Sequence, residues 1–144
     1  MLRIIADTNI ILSGLFFDKN PEKLLLLAIN GDLKLIIPEL VITEVNEKIE
    51  GKFSKQENLG AARDFWFVLQ KAFRETKEDI LSDKTTPIDC PDSDDTKILE
   101  YATKIKPDYV ISGNQHVLDI KDPPCQITKL RAFLEKEFPG ILED

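Results

Sequence analysis

The chain has 144 residues, 42% hydrophobic and 31% charged, with a net charge of -7. That is enough apolar material for one compact domain with a real core, and the charges are too well mixed in sign for a disordered chain. The acidic balance excludes a protein that holds nucleic acid by a bulk basic field, but not an enzyme that acts on nucleic acid through a local cationic rim.

Leu2–Ala6 reads as a short apolar strand and Asn9–Leu15 as the start of a helix, with Asp7 delivered between them. Pro21 opens a second helix, Glu22–Ile29, which Asn30-Gly31 stops. Leu33–Ile37 is the next strand, closed by Pro38. Helices follow at Glu39–Gly51 and at about Glu57–Phe73, and a weaker strand is expected near Asp79–Leu81. An acidic, turn-rich stretch, Asp89-Cys90-Pro91-Asp92-Ser93-Asp94-Asp95, leads into a helix from Thr96 to about Lys104. Tyr109–Ser112 is a strand stopped by Gly113-Asn114, and Gln126–Lys129 is a last strand feeding a helix from Leu130 to Glu137. No repeat or low-complexity linker interrupts the pattern. Strands alternating with helices over this length predict an α/β fold, a parallel sheet covered on both faces.

The longest apolar run, Leu24 to Ile29, is too short to span a bilayer. The N-terminus has no basic region, apolar core and cleavage site in series. Cys90 and Cys125 lie far apart and outside any CxxC, so they read as idle thiols in a reducing cytosol. The expectation is one cytoplasmic domain over residues 1–144, with no membrane partner.

In a parallel sheet the carboxyl ends of the strands and the amino ends of the following helices share one edge, where ligands sit. Asp7 leaves the first strand there, and Glu44 lies in the second turn of the helix after the Leu33–Ile37 strand. Asp95 begins the Thr96 helix, and Asn114 follows the Tyr109–Ser112 strand. Two carboxylates about 4 Å apart repel by roughly 4 kcal/mol at an effective dielectric near 20, and a hard divalent cation relieves that repulsion. Such an ion activates water and polarises a phosphodiester. Each residue also has a plainer reading. Asp7 and Asp95 are both good helix N-caps, and Glu44 can be a paired charge near an apolar helix face. Lys48, Lys52, Lys55, Arg63, Lys71 and Arg74 make either a cationic rim or, interleaved with Glu47, Glu50, Glu57 and Asp64, a solvated surface.

Four blocks in order carry a resemblance over essentially the whole chain: Ala6-Asp7-Thr8-Asn9-Ile10, Pro38-Glu39-Leu40-Val41-Ile42-Thr43-Glu44-Val45, Pro91-Asp92-Ser93-Asp94-Asp95-Thr96-Lys97-Ile98-Leu99 and Asp108-Tyr109-Val110-Ile111-Ser112-Gly113-Asn114. Together they resemble the PIN-domain ribonucleases, most of all the prokaryotic VapC-like toxin components. The resemblance implies a five-stranded parallel sheet between helices, in a three-layer α/β/α arrangement. It also implies Mg²⁺- or Mn²⁺-dependent cleavage of single-stranded RNA, a homodimer, and silencing by a co-encoded antitoxin. Asp7, Glu44 and Asp95 match the family's acidic positions, with Asp7 and Asp95 as principal metal ligands and Glu44 binding metal or orienting water. Asp92 and Asp94 are lesser candidates, and Thr8 and Asn9 match residues that brace the first carboxylate. Asn114 departs from the pattern, standing where the family has Asp, which removes one negative charge. His116, two positions on, stands where a further acidic residue is common and reads as a surface residue. A non-catalytic PIN-like module that binds RNA or protein is the alternative that Asn114 raises. A receiver- or phosphatase-like fold ranks last, for want of a strand-end Lys.

Overall fold

The computed structural model describes residues 1–74, 80–81 and 93–142, with side chains for 1–71 and 98–142. Runs of β-branched and leucine residues make its central strands. Ile4 to Ala6 of β1 (Arg3–Ala6), Leu35 to Ile37 of β2 (Lys34–Pro38) and Val110 and Ile111 of β4 (Tyr109–Ile111) are buried almost completely. Successive strand residues point to opposite faces, so burial without alternation means that both faces of this part of the sheet are covered.

Among the described residues the strands run parallel in the order β3-β2-β1-β4-β5. The two-residue β3 (Ile80–Leu81) pairs with β2, and β5 (Gln126–Thr128) pairs with β4. The chain winds outward from β1 through β2 to β3, then returns to lay β4 against the other side of β1. Strand order therefore reverses between β1 and β4. Asp7 and Ser112 are the first residues beyond the carboxyl ends of that pair.

The helices are α1 (Thr8–Leu15), α2 (Lys19–Ile29), α3 (Glu39–Glu50), α4 (Leu59–Arg74), α5 (Ser93–Ile105), α6 (Gln115–Leu118) and α7 (Leu130–Glu137), followed by a 3₁₀ turn at Pro139–Ile141. Val41, Val45 and Ile49 of α3 and Ala62, Trp66 and Leu69 of α4 recur at helical spacing and are buried. Trp66 secures the α3–α4 pair by donating Nε1–H to Asn46 Oδ1 at 2.8 Å. α1 and α2 approach closely at Gly14, where a Cβ would lie 2.6 Å from Leu25 Cδ1 and 2.8 Å from the Pro21 carbonyl oxygen. Among the described residues no helix is long and apolar enough to cross a membrane.

Three elements depart from expectation by more than two residues. α2 begins at Lys19, placing Pro21 at its third residue; the first turn has no intrahelical use for its N–H groups, so proline fits there. α5 begins at Ser93, so Asp95 lies inside its first turn and not at its cap. α6 was not expected, because a single turn carries no readable periodicity. Asp79, Cys90, Asp92 and the acidic turn as far as residue 92 lie outside the described residues.

Candidate active site

Asp7 holds the capping role that the sequence offered it, and its second carboxylate oxygen is tied to the end of β4. Its extended backbone and its Oδ1, which accepts from the Ile10 N–H at 3.0 Å, make it the N-cap of α1. Its Oδ2 accepts from Ser112 Oγ at 2.8 Å and from the Gly113 N–H at 3.3 Å. Ser112 is buried, and the Asp7 N–H donates to the Ile111 carbonyl at 3.1 Å. The ends of β1 and β4 are thereby joined across the reversal of strand order. An ionised carboxylate accepts at about four lone-pair positions, so these three donors leave room for a further ligand.

Glu44 comes to the same place from α3. The Thr8 hydroxyl, buried at the first turn of α1, donates to Glu44 Oε2 at 2.7 Å. Thr8 thus braces the second carboxylate; the first, which the resemblance had Thr8 and Asn9 bracing, is held by Ser112 and the backbone. Asn9 Oδ1 instead receives Lys48 Nζ, at 3.5 Å. Lys48 lies one helical turn after Glu44 on α3, on the same face.

Asn114 stands just beyond β4. Its N–H donates to Ser112 Oγ at 3.0 Å, and its Oδ1 accepts from the His116 N–H at 2.9 Å, capping α6. His116 is exposed and takes part through its backbone. Asp95 lies in the first turn of α5, and the side chains of Asp94 and Asp95 are outside the described residues. Ile98, three residues after Asp95 and so on the same helical face, borders the site.

Asp7, Thr8, Asn9, Glu44, Lys48, Ile98 and Asn114 line a cleft of about 180 Å³. A neighbouring hollow of about 370 Å³ shares Asp7, Asn9 and Asn114 and extends past Ser13 and Gly113. Among the described residues no three Asp, Glu, His or Cys side chains come together to hold a metal. The described side chains around the cleft nevertheless present oxygen donors from carboxylates, amides and a hydroxyl, and such a set suits Mg²⁺ or Mn²⁺ over softer metals.

The rest of the expected cationic rim divides. Arg63 pairs with Glu50 at 2.9 Å on an exposed surface, and Lys52 lies over the Phe53 ring. Of the candidate cations with described side chains, Lys48 borders the cleft. Of the three adjacent aromatics on α4, Phe65, Trp66 and Phe67, Trp66 is core, whereas Phe67 is exposed. Ser112 and Lys48 are the residues that sequence reasoning undervalued. Lys48 was signalled by its i, i+4 spacing from Glu44, and Ser112 by its place at a strand end inside the last of the four blocks. Burial pushes the Cys125 thiol up, the Asp108 charge adds to this and a hydrogen bond with the Val110 backbone opposes it. A thiol raised in this way stays protonated at neutral pH.

The family profile described as PIN domain matches residues 3–116. No curated protein and no solved structure gives a match. The matched span runs from β1 into α6 and includes every residue named as bordering the cleft.

Proposed function

Because this chain belongs to the PIN-domain family, a family of nuclease-type hydrolases, we propose that it is a Mg²⁺- or Mn²⁺-dependent endoribonuclease acting on single-stranded RNA. One observation carries the reading: Asp7 and Glu44, from different elements, border one oxygen-lined cleft where strand order reverses. Asp7, Glu44 and Asp95 are the proposed metal ligands, with the three-layer α/β/α sandwich of the whole chain as their frame. When bound, the cation supplies an activated water and a polarised phosphodiester. The chain's own residues do the rest. Ser112 and Gly113 fix the rotation of the Asp7 carboxylate, and Thr8 fixes that of Glu44. Asn114 contributes an amide in place of a charge. Substitutions Asp7→Asn, Glu44→Gln and Asp95→Asn are each expected to abolish metal-dependent cleavage while the far-ultraviolet circular dichroism stays that of the wild type. Full activity in any of them removes that residue from the mechanism.

A second reading, a non-catalytic module that binds RNA or protein, draws on Asn114, whose Oδ1 serves the α6 cap. It predicts RNA binding indifferent to chelator and no cleavage with any metal. Within the nuclease reading, we also propose that the protein is the toxin of a toxin–antitoxin pair and works as a homodimer. The dimer is supported by an apolar hollow of about 440 Å³ bordered by Phe17, Leu26, Ile29, Phe65 and Val68, of which Phe17, Leu26 and Val68 are exposed.

A further inference from the structure

We propose that Lys48 is the residue that grips the RNA backbone in this cleft, donating from its ammonium to a non-bridging oxygen of the phosphodiester that enters beside Asp7 and Glu44. The assignment rests on the nuclease reading and adds to it the contact that makes an acidic cleft acceptable to a polyanion. The electrostatic problem is concrete. The chain carries a net charge of -7, and the cleft is bordered by the carboxylates of Asp7 and Glu44. Together with Asp95 the proposed ligands outweigh a divalent cation by one negative charge, so a phosphate approaching the cleft still meets like charge. A local cation is needed, and Lys48 has the position for it. Spaced i, i+4 from Glu44, it sits on the same face of α3 and borders the same cleft.

Its bonding leaves it available for that contact. Lys48 belongs to neither of the ion pairs Arg63–Glu50 and Arg131–Glu135. Its one hydrogen-bond partner among the described residues is Asn9 Oδ1, at 3.5 Å. That is longer than the 2.7–3.2 Å usual for N–H···O, and an ammonium has three donors to place. A phosphate oxygen is a stronger acceptor for this ammonium than a neutral amide, because both partners are then charged and Coulomb attraction adds to the hydrogen bond. Asn9, exposed at the edge of the cleft, is a weak partner that the ammonium can leave when the backbone arrives.

The test is the salt dependence of binding. In an Asp7→Asn background that prevents cleavage, with Mg²⁺ held constant, the Kd of a short single-stranded oligonucleotide is measured across a series of NaCl concentrations. Replacing Lys48 by Gln is expected to weaken binding roughly tenfold at low salt. It should also make the slope of log Kd against log salt shallower by about 0.7, the loss of one phosphate contact on a single strand. Lys48→Arg should restore both. In the cleavage-competent protein Lys48→Gln should raise KM more than it lowers kcat. If the wild type cleaves RNA but Lys48→Gln leaves both slope and Kd unchanged, the Lys48 assignment falls and the nuclease reading stands. If the wild type neither binds nor cleaves RNA, both fall.

Discussion

Asn114 separates structure from charge at a single position. Asn and Asp cap helices about equally well, so the chain keeps the α6 cap while giving up a carboxylate at the edge of the cleft. Asn114→Asp should therefore leave the fold unchanged and strengthen cation binding. An additional unit charge about 4 Å from a divalent cation is worth about 2–8 kcal/mol between bulk water and an effective dielectric of 20, or tenfold and more in affinity. Calorimetric titration with Mn²⁺ measures this, and an unchanged affinity would remove position 114 from the cation's surroundings. At this scale the candidate residues were legible in the sequence, but their partners were not. The Thr8–Glu44 hydrogen bond joins residues 36 apart, and the Ser112–Asp7 bond joins residues 105 apart. Only the register of the sheet brings them together, and no local pattern encodes that register.

The elements themselves were largely readable, because each has its own periodicity or punctuation. α7 (Leu130–Glu137) is found where it is expected, and β3 falls within the stretch where a weak strand is expected. The departures are at boundaries, where local propensity is outweighed. Pro21 was read as the start of α2, yet the first turn tolerates proline, so the helix extends back to Lys19 behind Asp18. The α1–α2 contact is the element-scale feature most exposed to test. In Gly14→Ala the new methyl would meet backbone atoms of Pro21, at 2.8 and 2.9 Å, that cannot simply rotate away. The expected cost is about 1–3 kcal/mol, as for overpacking elsewhere, read from the urea midpoint. Unchanged stability would mean that α1 and α2 separate without penalty, and that the seat of Asp7 is less fixed than its hydrogen bonds indicate.

For the whole molecule, topology converts scattered acids into a site. The order β3-β2-β1-β4-β5 places the carboxyl ends of β1 and β4 side by side, and Asp7, Asn114 and the start of α3 follow from that. The sequence could show the alternation of strands and helices, but not which strands would be neighbours, since strand order depends on long-range packing. The assembly proposed for this fold is also testable. If a second copy covers the Phe17–Val68 hollow, the wild type should sediment as a dimer and Val68→Glu as a monomer. A monomeric wild type would end that proposal. The central claim, that the cleft beside Asp7 cuts RNA with the help of a divalent cation, is tested most directly by one assay. End-labelled single-stranded RNA is incubated with wild type or Asp7→Asn in Mn²⁺, in Mg²⁺ or in EDTA. Internal cleavage is predicted for the wild type with metal, and none with EDTA or with Asp7→Asn. Cleavage that survives EDTA or the loss of Asp7, or a folded wild type that cuts no RNA under any condition, would contradict it.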